Sequence, residues 1–156
     1  MSTSVQKIFS EAAHTYEMIN HLLTFGLDPL FRKKAASLAA VTDGGRWLDV
    51  CSGTGEMAAA MYRFTKKNVH IVSSDFSIEM LRKAKEKPEF DSISQSLADS
   101  GKLPFKDSTF DLLTISYATR NLNPTKEHTF NRSLGNLQYL GNLLQRQIIV
   151  MTQNKY

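Results

Sequence analysis

Trp47-Leu48-Asp49-Val50-Cys51-Ser52-Gly53-Thr54-Gly55-Glu56, followed by the run Met57 to Ala60, decides how this chain folds. The apolar residues up to Cys51 predict a buried strand, the two glycines a tight turn, and Glu56 the start of a helix. Such a turn can hold a ligand. Its glycines take backbone angles that a Cβ forbids and let the main chain come close to a bound molecule, while the first amides of the helix face the crevice.

The spacing discriminates between ligands. Gly53-x-Gly55-x-x-Ala58 is a tolerated variant of the dinucleotide fingerprint and is weak alone. Asp49 shifts the balance, because a carboxylate just before the turn repels a pyrophosphate and suits a cationic amino acid moiety. S-adenosylmethionine (SAM) carries an ammonium and a sulfonium; NAD carries two phosphates.

A chain of 156 residues with 42% hydrophobic content is long enough for one domain with its own core. The net charge of +4 comes from short clusters, Arg32-Lys33-Lys34 and Lys66-Lys67, interleaved elsewhere with Glu79, Glu86 and Glu89. A nucleic-acid stripe would be denser, so no nucleic-acid partner is expected. The single cysteine rules out an internal disulfide, and no spacing among Cys51, His14, His70 and His128 suits a metal. With no apolar leader and no run of membrane-spanning length, a cytoplasmic protein is expected.

Working outward, Val5, Ile8, Phe9, Ala12, Ala13, Tyr16, Ile19 and Leu23 recur at helical spacing. After a break at Gly26, Asp28-Pro29 opens a second helix to about Ala40, with Leu30, Phe31, Lys34, Ala35 and Leu38 expected on its packed side and Arg32-Lys33 partly on the other. Residues 1–44 thus read as a helical cap or lid and residues 45–156 as the ligand-binding core. Val69 to Ser74 reads as a second parallel strand ending in Asp75, about 20 residues past the glycine turn, where a nucleoside-binding domain bonds ribose hydroxyls. Ser77 caps the next helix, with Ile78, Leu81 and Ala84 inward and Glu79 and Lys83 as an i,i+4 pair. Ile93 to Ala98 predicts a third strand ending in Asp99-Ser100, whose polar groups suit an adenine. Leu112 to Ser116 predicts a fourth strand. Alternating strands and helices give an α/β, Rossmann-like, doubly wound and mostly parallel sheet with its ligand at the carboxyl ends of the strands. Asp49, Asp75, Asp99 and Ser116 all map to that edge.

Val5 to Ala36, Leu48-Asp49-Val50-Cys51-Ser52-Gly53-Thr54-Gly55, Asp75-Phe76-Ser77-Ile78-Glu79-Met80-Leu81, and Leu103-Pro104-Phe105 through Thr114-Ile115-Ser116-Tyr117-Ala118-Thr119-Arg120-Asn121-Leu122 resemble the UbiE/MenG ubiquinone and menaquinone biosynthesis C-methyltransferases. The resemblance runs from about residue 5 to 127. It implies methyl transfer from SAM to a ring carbon of a prenylated quinol, leaving S-adenosylhomocysteine. It further implies SAM contacts at Thr54, Asp75, Asp99, Ser100 and Ser116, which with Asp49, Gly53, Gly55 and Phe76 of the motifs read above make up the expected cofactor site. The ring carbon becomes nucleophilic as a hydroxyl loses its proton, which asks for a base or a cation at the phenolate. Arg120 with Asn121, and more weakly Tyr117, are the candidates. A quinol or phenol is then the small-molecule partner. Because a polyprenyl acceptor resides in the bilayer, the N-terminal helix and Arg32-Lys33-Lys34 gain a second use as a peripheral contact with the inner membrane, although core packing accounts for them more simply.

After Glu127 the resemblance fades. Phe130 to Leu144 reads as a helix weakened by Gly135 and Gly141, and Ile148 to Met151 as a fifth strand, with nothing left for the family's last two strands. A sheet so shortened exposes an edge that a homodimer would cover. The rival reading is a SAM-binding module without catalysis; an NAD enzyme is disfavoured by Asp49.

Overall fold

The structure, a computed structural model, describes residues 18, 21–22, 24–39, 44–65, 69–116, 132–133, 137–143 and 148–153. Helix α1 (Asp28–Ala39) leads into β1 (Gly45–Val50), α2 (Glu56–Phe64), β2 (Val69–Asp75) and α3 (Ile78–Lys85). A 3-10 turn at Pro88–Asp91, β3 (Ser94–Leu97), β4 (Leu112–Ser116), β5 (Leu137–Leu143) and β6 (Ile148–Gln153) follow. The strands lie in the order β3-β2-β1-β4-β6-β5. The first four are parallel; β6 runs antiparallel to β4, and β5 antiparallel to β6.

This is the expected Rossmann-like α/β fold, and its central strands read as apolar runs because both faces are covered. Trp47, Ile71 and Leu112 face one layer, where they pack with Ala35, Ala36 and Ala39 of α1, Met57 to Met61 of α2, Ala84 and Phe90. Leu48, Val50, Val72, Leu113 and Ile115 face the other, with Phe110 and the flanking Leu103 and Phe105. By the two-residue period of a strand, Asp49, Ser73 and Thr114 fall on the helical face with Trp47. All three are fully buried and in register, Asp49 lying between Ser73 and Thr114. A polar row therefore crosses the sheet directly beneath the helices.

Five local expectations are corrected. The packed face of α1 is rotated: Asp28, Arg32, Ala35, Ala36 and Ala39 are buried, while Leu30 is 60% exposed and Lys34 faces solvent. The alanines allow α1 to approach the Ala58–Ala60 stretch of α2 closely, and Asp28 and Arg32 enter the interface as an ion pair at 2.7 Å. Cys51, expected inside β1, follows its end with φ 54, because the turn begins there. Ile78 is 39% exposed, and Lys83 pairs with Glu86 at 2.6 Å, not with Glu79. Finally, the helix expected over Phe130 to Leu144 is replaced across Leu137–Leu143 by β5, and β5 with β6 forms an antiparallel pair in place of the expected lone fifth strand. The physical reason lies in β4. Its outer edge would otherwise present bare N–H and C=O groups, and β6 satisfies them from Leu112 to Ser116.

Candidate functional site

The glycine turn is built by backbone necessity. Gly53 and Gly55 have φ 54 and φ 78, and Gly55 lies so close to Phe90 and Ala84 that a Cβ would collide with both. Only glycine fits there. The turn is tied to β2: Ser52 N–H donates to the Ser74 carbonyl at 3.0 Å, Ser73 Oγ bonds Ser52 Oγ at 2.7 Å, and Gly55 N–H closes onto the Ser52 carbonyl at 2.9 Å. Thr54 is buried within it.

Asp75 is the latch. Its Oδ2 accepts from Gly53 N–H at 2.9 Å and its Oδ1 from Ser77 N–H at 2.9 Å, joining the glycine turn to the start of α3. A carboxylate offers about four acceptor positions, more than these two amides use. Burial pushes Asp75 above the ordinary carboxylate range against the pull of the Ser77, Gly53 and Phe76 amides. The Asp75 carbonyl also receives Ala98 N–H at 2.9 Å, which brings the tip of β3 beside that of β2. Just beyond, Asp99 Oδ1 caps its own turn by accepting from Gly101 N–H at 2.8 Å, and Ser100 is 6% exposed.

Asp49 lies one layer deeper. Its Oδ1 accepts from Thr114 Oγ at 2.6 Å, and its Oδ2 has no hydrogen-bond partner. Desolvation is the main reason its carboxyl is pushed up from 3.8 to about 7; Thr114 opposes this, Asp75 adds repulsion, and the Ala58 amide and Arg32 pull it back. Ser116 Oγ and Ser74 Oγ are likewise buried without partners. Asp49 and Ser116 fall on the helical face of the sheet and Ser74 on the other. Orphaned buried polar atoms cost free energy unless something completes them, and two of these three flank the glycine turn on one side. A ligand carrying a cation and a polyhydroxylated nucleoside fits this donor and acceptor set.

The strand tips thus gather Asp49, Gly53, Thr54, Gly55, Asp75, Phe76, Asp99, Ser100 and Ser116 on one edge. Tyr117, Arg120 and Asn121 lie outside the described residues. Sequence reasoning missed Thr114, whose register opposite Asp49 emerges only from strand pairing, and the burial of Arg32. The i,i+4 spacing of Asp28 and Arg32 was the available signal for the second. Arg32 belongs to a chain of polar contacts: His21 Nδ1 lies 2.7 Å from Asp28, Arg32 3.9 Å from Glu56, and Lys87 3.1 Å from Glu56. Between α1 and α2 a cleft of about 250 Å³ is lined by Pro29, Arg32, Lys33, Glu56, Ala60, Arg63 and Phe64. Only its Glu56 and Arg32 end adjoins the turn.

The sequence profile of the ubiE/COQ5 methyltransferase family matches residues 1–142. The Ubiquinone/menaquinone biosynthesis C-methyltransferase UbiE of Geotalea uraniireducens is 38% identical over 122 residues, covering 76% of this chain and 52% of that protein. The demethylmenaquinone methyltransferase of Streptomyces avermitilis is 34% identical over 121 residues, covering 78% and 50%. The chain thus spans about half the length of the curated relatives it matches. Among solved structures, a Haemonchus contortus phosphoethanolamine N-methyltransferase in complex with phosphoethanolamine and S-adenosylhomocysteine superimposes with a TM-score of 0.61 at 15% identity, over 85% of this chain and 30% of that one. A SAM-dependent methyltransferase from Aquifex aeolicus gives 0.58 at 18%, over 69% and 60%.

Proposed function

This chain belongs to the ubiE/COQ5 methyltransferase family, and from that premise we propose that it binds SAM along the carboxyl edge of its sheet and methylates a ring carbon of a quinol. The observation that supports this most is the latch. Asp75 holds the glycine turn from the tip of β2, where its carboxylate can also accept from ribose hydroxyls, and Asp99 and Ser100 stand beside it for an adenine. Thr54 and Ser116 line the remainder, and Asp49 supplies negative potential toward the cationic end. Bound there, SAM supplies a methyl group on a sulfonium, a good leaving group for in-line displacement. Catalysis then rests largely on positioning.

Arg120 and Asn121, four and five residues after Ser116 in sequence, are assigned the acceptor hydroxyl, Arg120 as the charge that favours the phenolate and Asn121 as a hydrogen-bond partner. Tyr117 is the weaker candidate. The helical cap of residues 1–44 is assigned the role of a lid over the core.

The acceptor reading extends to location, a cytoplasmic protein meeting the inner membrane from one side. Met18, Leu22, Phe25, Leu27 and Leu30 are large exposed apolar residues within a short stretch that leads to Lys33 and Lys34, which suits peripheral contact with an anionic bilayer. Among the described residues no helix is long and apolar enough to cross a membrane. The outer edge of β5 offers a pairing surface for a second copy.

Calorimetric titration with SAM, S-adenosylhomocysteine and NAD, on the wild type and on Asp75→Ala, tests the cofactor. The first two bind and NAD does not, and the variant binds more weakly. Methyl transfer to quinol analogues tests the reaction; saturable SAM binding without turnover on any of them identifies a SAM-binding module instead.

A further inference from the structure

The cleft between α1 and α2 is bordered by a cation without a counter-charge among the described residues. Its one acid, Glu56, is matched by Lys87 at 3.1 Å and flanked by Arg32 at 3.9 Å, and Arg32 is itself bonded to Asp28 at 2.7 Å. Arg63, on the α2 wall, pairs with Glu89 at 2.6 Å through Nε, one of five guanidinium donors. Lys33, on the α1 wall, is exposed and has no ion pair among the described residues. Pro29, Ala60 and Phe64 complete the lining with apolar surface.

Lys33 also borders the apolar face of the cap. It follows Pro29 at i,i+4 and Leu30 at i,i+3 along α1, so the cleft and the exposed apolar residues meet at this lysine. Ahead of α1 the chain holds a phenyl ring out: Phe25 is 93% exposed, with φ 51, and Gly26 follows at φ 77. A residue with a Cβ keeps that conformation only where its surroundings enforce it. Here Phe25 N–H donates to the Leu22 carbonyl at 3.1 Å, Gly26 N–H to that of His21 at 2.8 Å and Leu27 N–H to that of Thr24 at 3.0 Å. The fold thus fixes an aromatic ring in water, in the same stretch as the exposed Leu22, Leu27 and Leu30. An unmatched cation on a partly apolar cleft, beside large exposed apolar side chains, fits an amphiphile with an anionic head and a hydrocarbon tail. A bare anion would leave the apolar residues in water, and a neutral lipid would leave Lys33 unmatched.

We propose that this cleft binds the phosphate headgroup of an anionic phospholipid, with Lys33 and Arg63 on the phosphate and the acyl chains beside Phe25 and Leu30 in the bilayer. The proposal rests on the bilayer reading above and is independent of the SAM site. The contact is then a site for one headgroup, and not only a diffuse attraction of basic residues to a charged surface.

Two adjacent lysines separate these alternatives. Lys33 lines the cleft and Lys34, also exposed, does not, so a diffuse field treats them alike and a headgroup site does not. The full chain is co-sedimented with phosphatidylcholine vesicles, with and without phosphatidylglycerol, as wild type, Lys33→Gln, Lys34→Gln, Arg63→Gln and Phe25→Ser. Thermal melts confirm folding. Wild type binds the vesicles that contain phosphatidylglycerol and not the neutral ones. Lys34→Gln lowers partitioning about fivefold, as for one surface charge, whereas Lys33→Gln and Arg63→Gln each lower it about twentyfold or more. Phe25→Ser lowers it about tenfold or more. Short-chain soluble phosphatidylglycerol displaces the wild type from the vesicles, and inorganic phosphate at the same concentration does not. Equal losses for Lys33→Gln and Lys34→Gln overturn the headgroup site and leave the bilayer reading standing. Displacement by inorganic phosphate overturns the lipid in favour of a bare anion. If Arg63→Gln does not fold, the two lysine variants decide the matter. A wild type that binds both kinds of vesicle equally, or neither, removes the anionic-bilayer reading and this proposal with it.

Discussion

Replacing Asp49 with asparagine should make the protein more stable above neutral pH and worse at holding its cofactor. The carboxyl is fully buried and titrates at about 7 against an ordinary 3.8, roughly three units. The folded chain therefore keeps a proton that the unfolded chain gives up. Stability is greatest below the unfolded value, declines as pH rises toward 7 and is fully diminished above it, by about 4 kcal/mol. Asparagine abolishes that decline. Its Oδ1 keeps the Thr114 hydroxyl, and its amide hydrogens fall where Oδ2 has no partner, which costs about 1 kcal/mol. The net gain at pH 8 is about 3 kcal/mol, or ~6–12 °C in melting temperature for a chain of this size. At pH 5 it shrinks below about 1 kcal/mol. Thermal melts of both proteins across pH 5 to 8 measure this. In the same titration, SAM affinity of the wild type should rise about tenfold between pH 6 and pH 8, as the fraction of ionised Asp49 grows, and be flat in Asp49→Asn. A variant less stable than wild type by the same amount at both pH values would show that Asp49 is an ionised, stabilising group and refute the reasoning.

Thr114→Val removes the one side-chain hydrogen bond that stabilises the Asp49 carboxylate, so the pH midpoint of SAM binding moves upward, readable in the same titrations. Gly55→Ala forces a Cβ into Phe90 and Ala84 at positive φ, with an expected loss of about 2–5 kcal/mol by denaturant unfolding and of SAM binding with it. Ser77→Ala deletes the cap that accepts from Met80 N–H at 3.3 Å; it should cost about 1 kcal/mol and leave SAM affinity within about twofold. Arg120→Met should abolish methyl transfer while calorimetric SAM affinity holds; parallel loss of both would assign Arg120 a structural role.

Much of the local structure around the candidate site was legible because it is written in neighbouring residues. A glycine turn, a strand tip and a capping serine are each written in a handful of neighbouring residues, so Gly53, Gly55, Asp75, Ser77 and the bounds of β4 could be read directly. What escaped depends on partners far away in sequence. Thr114 reads as an ordinary strand residue until pairing sets it against Asp49. The face of α1 was misjudged because Leu30 and Leu38 outrank alanine in hydropathy, whereas a helix that must lie close on another favours small side chains at the contact. The residues of β5 read as a weak helix, since an unpaired strand edge on β4 carries no sequence signal in residues 137–143.

The way β6 completes β4 has a consequence for synthesis. A ribosome delivers β1 to β4 first, and the last residue of β6 follows Ser116 by 37 positions (153 − 116). At ~5–20 residues per second that is ~2–7 seconds. A hairpin closes in ~1–10 μs, so the nascent chain waits for the strand that pairs with β4 far longer than it takes to use it. Throughout that interval β4 carries an apolar strand with one open side, the template on which a neighbouring nascent chain would pair. The yield of folded protein should therefore depend on translation speed through residues 117–153 more than on anything upstream.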